Sequence, residues 1–110
     1  MVFIVWILPF KNIVRQEYTL YLEDLPVNSI NDGCTNQTLL KREQLKYQLI
    51  VNSKVIKEDY LSNIKDNILD TRNVNVKDTN AYELRIYIHD EAEDWYGKHY
   101  HYRVVLKKTN

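Results

Sequence analysis

The chain has 110 residues, 45% of them hydrophobic and 27% charged, with fifteen basic and fifteen acidic side chains and hence zero formal net charge. Such a composition fits one globular domain spanning residues 1–110 and argues against a disordered chain. It also argues against general binding to nucleic acid or anionic membrane, since either would call for a basic excess.

Two glycines leave no glycine-rich loop for phosphate, and Cys34, the one cysteine, leaves no intramolecular disulfide and no cysteine-based metal set. A single cysteine suits a reducing compartment, so a cytoplasmic protein is expected. Abundant Asn, Lys, Ile and Tyr point to an AT-rich coding genome, of the kind many phages, viruses and some bacteria have.

The first apolar run, Val2 to Leu8, is far shorter than the ~20 residues of a membrane helix. It has no basic flank and no small-residue cleavage site, so it reads as a strand buried on both faces and ended by Pro9. Secretion through an atypical N-terminal signal is the alternative.

From Val14 to Glu23 the pattern alternates, with Tyr18, Leu20 and Leu22 inward; this second strand is expected to pair with the first across Pro9–Ile13. Asp24–Thr38 is dense in turn formers and reads as a long loop; its Asn36-Gln37-Thr38 sequon matters only in a secreted chain. Leu39–Gln44 suits a helical turn. Leu45, Tyr47, Leu49 and Val51 then alternate as a strand, and Asn52-Ser53 turns into Lys54–Lys57. A helix through Leu39–Ile50 is the competing assignment.

Between Glu58 and Leu69 the period changes. Tyr60, Leu61, Ile64 and Ile68 make one helical face, polar residues fill the other, and Glu58 and Asp59 suit the first turn. Asp70–Asn73 closes that helix, Val74 and Val76 form a short strand, and Asp78-Thr79-Asn80 turns the chain.

Ala81–Lys108 reads as a β-hairpin. Tyr82, Leu84, Ile86 and Ile88 share the inner face of one strand, and Tyr100, Tyr102, Val104 and Leu106 that of the other. A register that sets Glu83 opposite Lys107, Tyr87 opposite Arg103 and His89 opposite His101 avoids facing Arg85 with Arg103. The fold class expected is therefore α+β: a mostly antiparallel sheet of about five or six strands with one or two helices packed on one face.

Two features of the hairpin carry chemistry. In that register His89, His99 and His101 share the wet face, and three imidazoles with an open position suit zinc, with Asp90 or Glu91 as a further oxygen ligand. Ordinary exposed strand histidines are the simpler reading, because an H-x-H pair arises often by chance and no H-E-x-x-H pattern accompanies it. No cofactor is therefore expected.

The second feature is the tip. Asp90, Glu91, Glu93 and Asp94 repel one another and stay solvated, beside Trp95, Tyr96 and the turn residue Gly97. Trp95 either folds back to cap the sheet edge or joins Tyr96 as an interface anchor.

The function expected is a small non-catalytic protein-binding module, such as an inhibitor, immunity or accessory protein. Trp95 and Tyr96 would anchor it while Asp90, Glu91, Glu93 and Asp94 steer a partner with a basic surface. One alternative is a small hydrolase using His89, His99 and His101 on an anionic substrate held by Arg85 and Arg103. Another is a self-associating assembly protein, using the Val2–Leu8 run and exposed tyrosines.

Overall fold

The computed structural model describes residues 3–11, 16–26, 39–74 and 79–109, and every long element within them is a strand. The strands are β1 (Phe3–Lys11), β2 (Gln16–Asp24), β3 (Leu45–Val51), β4 (Lys54–Tyr60), β5 (Ile68–Val74), β6 (Thr79–Ile88) and β7 (Tyr102–Lys108). They form two antiparallel sheets, one in the order β1-β6-β3-β4 and one in the order β5-β2-β7. Among the described residues, single-turn 3-10 segments lie at Arg42–Gln44 and Leu61–Asn63. The expected α+β class is thus corrected: among the described residues no helix packs on either sheet.

The expected helix over Glu58–Leu69 is instead the end of β4, a 3-10 turn and the start of β5. Its turn formers decide the outcome. Asp59 Oδ1 accepts hydrogen bonds from Tyr60 N at 2.7 Å and Asn63 Nδ2 at 2.8 Å, a local side-chain network that competes with helical bonding. Asp66 and Asn67 then adopt left-handed φ of 54° and 60°, which reverses the chain. The apolar positions serve that path: Leu61 and Leu69 are fully buried, while Ile68 is 36% exposed.

The β3–β4 hairpin follows the sequence. Val51 pairs with Lys54, and Asn52 and Ser53 have φ of 50° and 69°, the two positive values of a tight two-residue turn. Asn52 also ties the turn to β6, accepting from Ala81 N at 2.9 Å and donating to Asn80 Oδ1 at 3.0 Å.

Two expected pairings do not form. β1 lies beside β6 and not beside β2, which sits between β5 and β7. Nor are β6 and β7 a hairpin: β6 pairs with β1 and β3, while β7 pairs with β2. In place of the expected cross-strand partners, Arg103 pairs with Glu23 at 2.6 Å, Arg85 with Glu83, and Lys107 lies 5.3 Å from the Tyr21 ring centroid. The segment between β6 and β7 crosses from one sheet to the other.

Alternation nevertheless chose the inner faces correctly. Leu45, Tyr47, Leu49 and Val51 of β3, and Tyr82, Leu84, Ile86 and Ile88 of β6, meet Leu20 and Leu22 of β2 and Leu69 of β5 in one core. Tyr102, Val104 and Leu106 of β7 close it as partly buried residues. Two sheets meeting through alternating inner residues make a β-sandwich.

Polar ties span the two layers. From the first sheet, the buried Tyr82 hydroxyl donates to Asp70 Oδ2 of β5 at 2.9 Å, an oxygen that also accepts from Arg72 Nε on β5 itself at 2.8 Å. Lys57 Nζ of β4 donates to the Leu69 carbonyl at 2.5 Å. Near the other end, Asp24 accepts from Arg42 Nε at 3.0 Å and from the Tyr100 hydroxyl at 2.5 Å.

Burial, and then the neighbouring Asp70 and Asp24 carboxylates, hold the Tyr82 and Tyr100 hydroxyls well above the ordinary tyrosine range. The native state therefore binds these protons more tightly than the unfolded chain does. Their contribution is complete below the unfolded value of about 10 and is lost as pH rises above it. Denaturant melts between about pH 8 and pH 11 are expected to show stability falling from about pH 10 upward, less steeply in Tyr82→Phe. A flat profile would contradict this account.

Candidate functional site

The segment from His89 to His101 gathers most of the residues singled out in the sequence, and local chemistry fixes its path. As β6 ends, His89 N donates to the Gln44 carbonyl at 3.2 Å, and Ala92 N donates back to the His89 carbonyl at 3.0 Å. Gln44 holds the segment a second time through Nε2, which donates to the Glu93 carbonyl at 2.7 Å. Asp94 takes a φ of 56°, and Lys98 N donates to the Trp95 carbonyl at 3.1 Å around Gly97, whose φ of 72° suits a residue without a Cβ. The strand then rejoins the fold where Leu40 N donates to the His99 carbonyl at 2.6 Å and Leu25 N to the His101 carbonyl at 2.9 Å.

This path separates the two aromatic side chains. Trp95 is half-buried and packs against the core together with Ala92, so it caps the sandwich. Tyr96, with its ring centroid 6.2 Å from that of Trp95, is 89% exposed. Asp90, Glu91, Glu93 and Asp94 are all exposed around it. One side of the segment borders an open groove of about 410 Å³, where Glu43, Glu91, Glu93 and Asp94 face Lys41 and Lys98.

The histidines take three different environments. His89 meets the Tyr60 ring edge-on at 5.3 Å, and its Nε2 lies 3.2 Å from the Glu43 carbonyl. His99 is exposed and joins Leu39 through a backbone bridge. His101 is buried, with Nδ1 3.2 Å from the Pro26 carbonyl. The shared wet face expected for them required a β6–β7 hairpin, and those strands belong to different sheets. Among the described residues no group of three or more His, Cys, Asp or Glu side chains is arranged to hold a metal ion. Cys34 and the Asn36-Gln37-Thr38 sequon lie outside the described residues, as do most of the loop before Leu39 and the positions Val76 and Asp78.

Sequence reasoning did not single out Gln44, whose role depends on two backbone contacts far away in sequence. It also missed the joint of Asp24, Arg42 and Tyr100. Arg42 there reaches the Leu22 carbonyl at 3.3 Å and Asn67 Oδ1 at 3.1 Å as well as Asp24. No local pattern signals such a joint.

Among the described residues no helix is long and apolar enough to cross a membrane. In comparisons with known proteins the chain matches no family model, no curated protein and no solved structure.

Proposed function

We propose that the protein is a small non-catalytic binding module that presents the segment between β6 and β7 to another protein. The observation that carries the reading is Tyr96, a large aromatic side chain left 89% exposed on a segment that is otherwise tied down. Tyrosine gives broad contact area at low entropic cost, and a pre-organised segment loses little freedom on binding. The four exposed carboxylates around it favour a partner with a basic surface and would speed encounter at low salt. Trp95 serves the module by bracing the segment against the core. The test compares Tyr96→Ala with wild type: loss of partner capture at an unchanged melting temperature supports the reading, and unchanged capture removes it.

The hydrolase alternative draws no support from the three separate histidine environments. Self-association keeps one favourable observation. Among the described residues β1 pairs with β6 alone, yet its run from Phe3 to Phe10 contains no charged residue. Edge strands ordinarily carry charge that discourages pairing with another chain. If β1 pairs with a second copy, sedimentation velocity is expected to show a dimer that Val5→Lys converts to monomer. A single monomer species across concentrations would exclude it.

A further inference from the structure

The segment that presents Tyr96 begins at His89, and both nitrogens of that imidazole are committed. Glu91 N donates to His89 Nδ1 at 3.1 Å, while Nε2 lies 3.2 Å from the Glu43 carbonyl. These partners fix the state of the ring. A carbonyl oxygen only accepts, so Nε2 carries the hydrogen; an amide N–H only donates, so Nδ1 is bare. The imidazole is therefore neutral, in its Nε2–H tautomer. The Tyr60 ring of β4 meets it edge-on at 5.3 Å.

The Nδ1 contact closes the first turn of the segment. A side-chain acceptor that takes the N–H two residues on is the pattern of an Asx turn, made here by a ring nitrogen. It works beside the bond from Ala92 N to the His89 carbonyl at 3.0 Å.

An incoming proton has one place to go. Nδ1 holds the one basic lone pair of the ring, so uptake turns an acceptor into a donor aimed at the Glu91 N–H donor 3.1 Å away. The Nε2 contact survives, because Nε2 donates in both forms and the positive charge strengthens the bond. The ring thus stays with the Arg42–Gln44 turn, and the loss falls on the segment. Histidine is the side chain whose charge ordinarily changes between about pH 5 and pH 8.

The surrounding charges favour the same outcome. Among the described residues, Glu43 of the 3-10 turn and Asp90, Glu91, Glu93 and Asp94 of the segment border the two grooves that His89 lines. Lys41 and Lys98 stand in one of them, and Lys46 of β3 in the other with the phenols of Tyr60 and Tyr87. Carboxylates outnumber ammoniums, so a new Nδ1–H finds acceptors as the Glu91 amide turns away. An imidazolium here also offsets part of the negative field that favours a basic partner.

We infer that His89 is a proton-sensitive latch: neutral, it holds the first turn of the Tyr96 segment, and protonated, it releases that turn. As regulation the latch rests on the protein-binding reading, but as a structural device it is measured without a partner.

The test is ring and amide NMR on the whole chain between about pH 8 and about pH 5.5, the range in which histidine ordinarily titrates. At the alkaline end the His89 ring nitrogens are expected to show a proton on Nε2 and none on Nδ1. On acidification the Glu91 amide is expected to move with the same midpoint as the His89 ring, and its protection against exchange to fall at least about threefold. His89→Asn sets a carboxamide oxygen where Nδ1 stands and does not titrate, so its Glu91 amide is expected to stay in place and protected. His89→Ala is expected to leave that amide unprotected throughout the range. A proton on Nδ1 at the alkaline end, a Glu91 amide that ignores the His89 midpoint, or one that titrates alike in His89→Asn overturns the latch. A Tyr96 surface that captures no partner would instead remove the protein-binding reading and leave these measurements standing.

Discussion

Asp70→Ala is expected to lower the unfolding free energy by about 2–4 kcal/mol, because one carboxylate satisfies two groups at once. Asp70 is 6% exposed, and its Oδ2 accepts from both the Tyr82 hydroxyl and Arg72 Nε. Removing it takes the carboxylate acceptor from the hydroxyl of Tyr82, whose residue is fully buried between the sheets. The Arg72 side chain is 31% exposed and regains water, which keeps the loss below that of a fully enclosed pair. Domains of this size have about 5–15 kcal/mol in hand, so a fall in melting temperature of roughly 10–15 °C is expected. Tyr82→Phe leaves Asp70 its arginine partner and is expected to cost about 1–2 kcal/mol. Thermal melts of both variants check the order, and an Asp70→Ala protein as stable as wild type would deny the clamp its role.

The second large effect is a separation between neighbours. Trp95→Ala is expected to cost about 1.5–3 kcal/mol, because it strips the ring that packs on the core beside Ala92. Tyr96→Ala is expected to change stability by less than about 0.5 kcal/mol, since its side chain stands almost wholly in solvent. Partner affinity should divide the other way, with Tyr96→Ala losing at least about tenfold. Denaturant melts and binding isotherms on the same two variants read both quantities. Equal stability losses would mean that the two rings share one environment.

What the sequence made legible was the inner face of β2, β3, β6 and β7. The period of two placed Leu20 and Leu22, Leu45 to Val51, and Tyr82 to Ile88 in the core, where the structure has them. Period says nothing about neighbours, because alternation is local and pairing joins distant residues. The alternating runs of β6 and β7 are therefore compatible with a hairpin, although the sandwich sends them to opposite layers. The helix expected from Tyr60, Leu61, Ile64 and Ile68 failed for a related reason. A strand end, a turn and a strand start also bury two of every few residues, and Asp66 and Asn67 carried the turn signal.

The candidate segment was legible in composition but not in geometry. Its four carboxylates and two aromatics were evident, while the division of labour between Trp95 and Tyr96 depends on Gln44 holding the Glu93 carbonyl. The row of Tyr60, Lys46 and Tyr87 across β4, β3 and β6 is out of reach of the sequence, because the period around Tyr60 reads as a helix. Only the pairing of Lys46 with both Tyr60 and Tyr87 brings that row together.

The central claim, that the segment between β6 and β7 is a protein-binding surface, is tested most directly by placing a photo-crosslinking amino acid at position 96 in cells of the native host. The same group at Thr71, an exposed position on β5, serves as the control. The account predicts one defined crosslinked protein from position 96, diminished by added salt and absent from position 71. No adduct at position 96, or the same adducts from both positions, would contradict it.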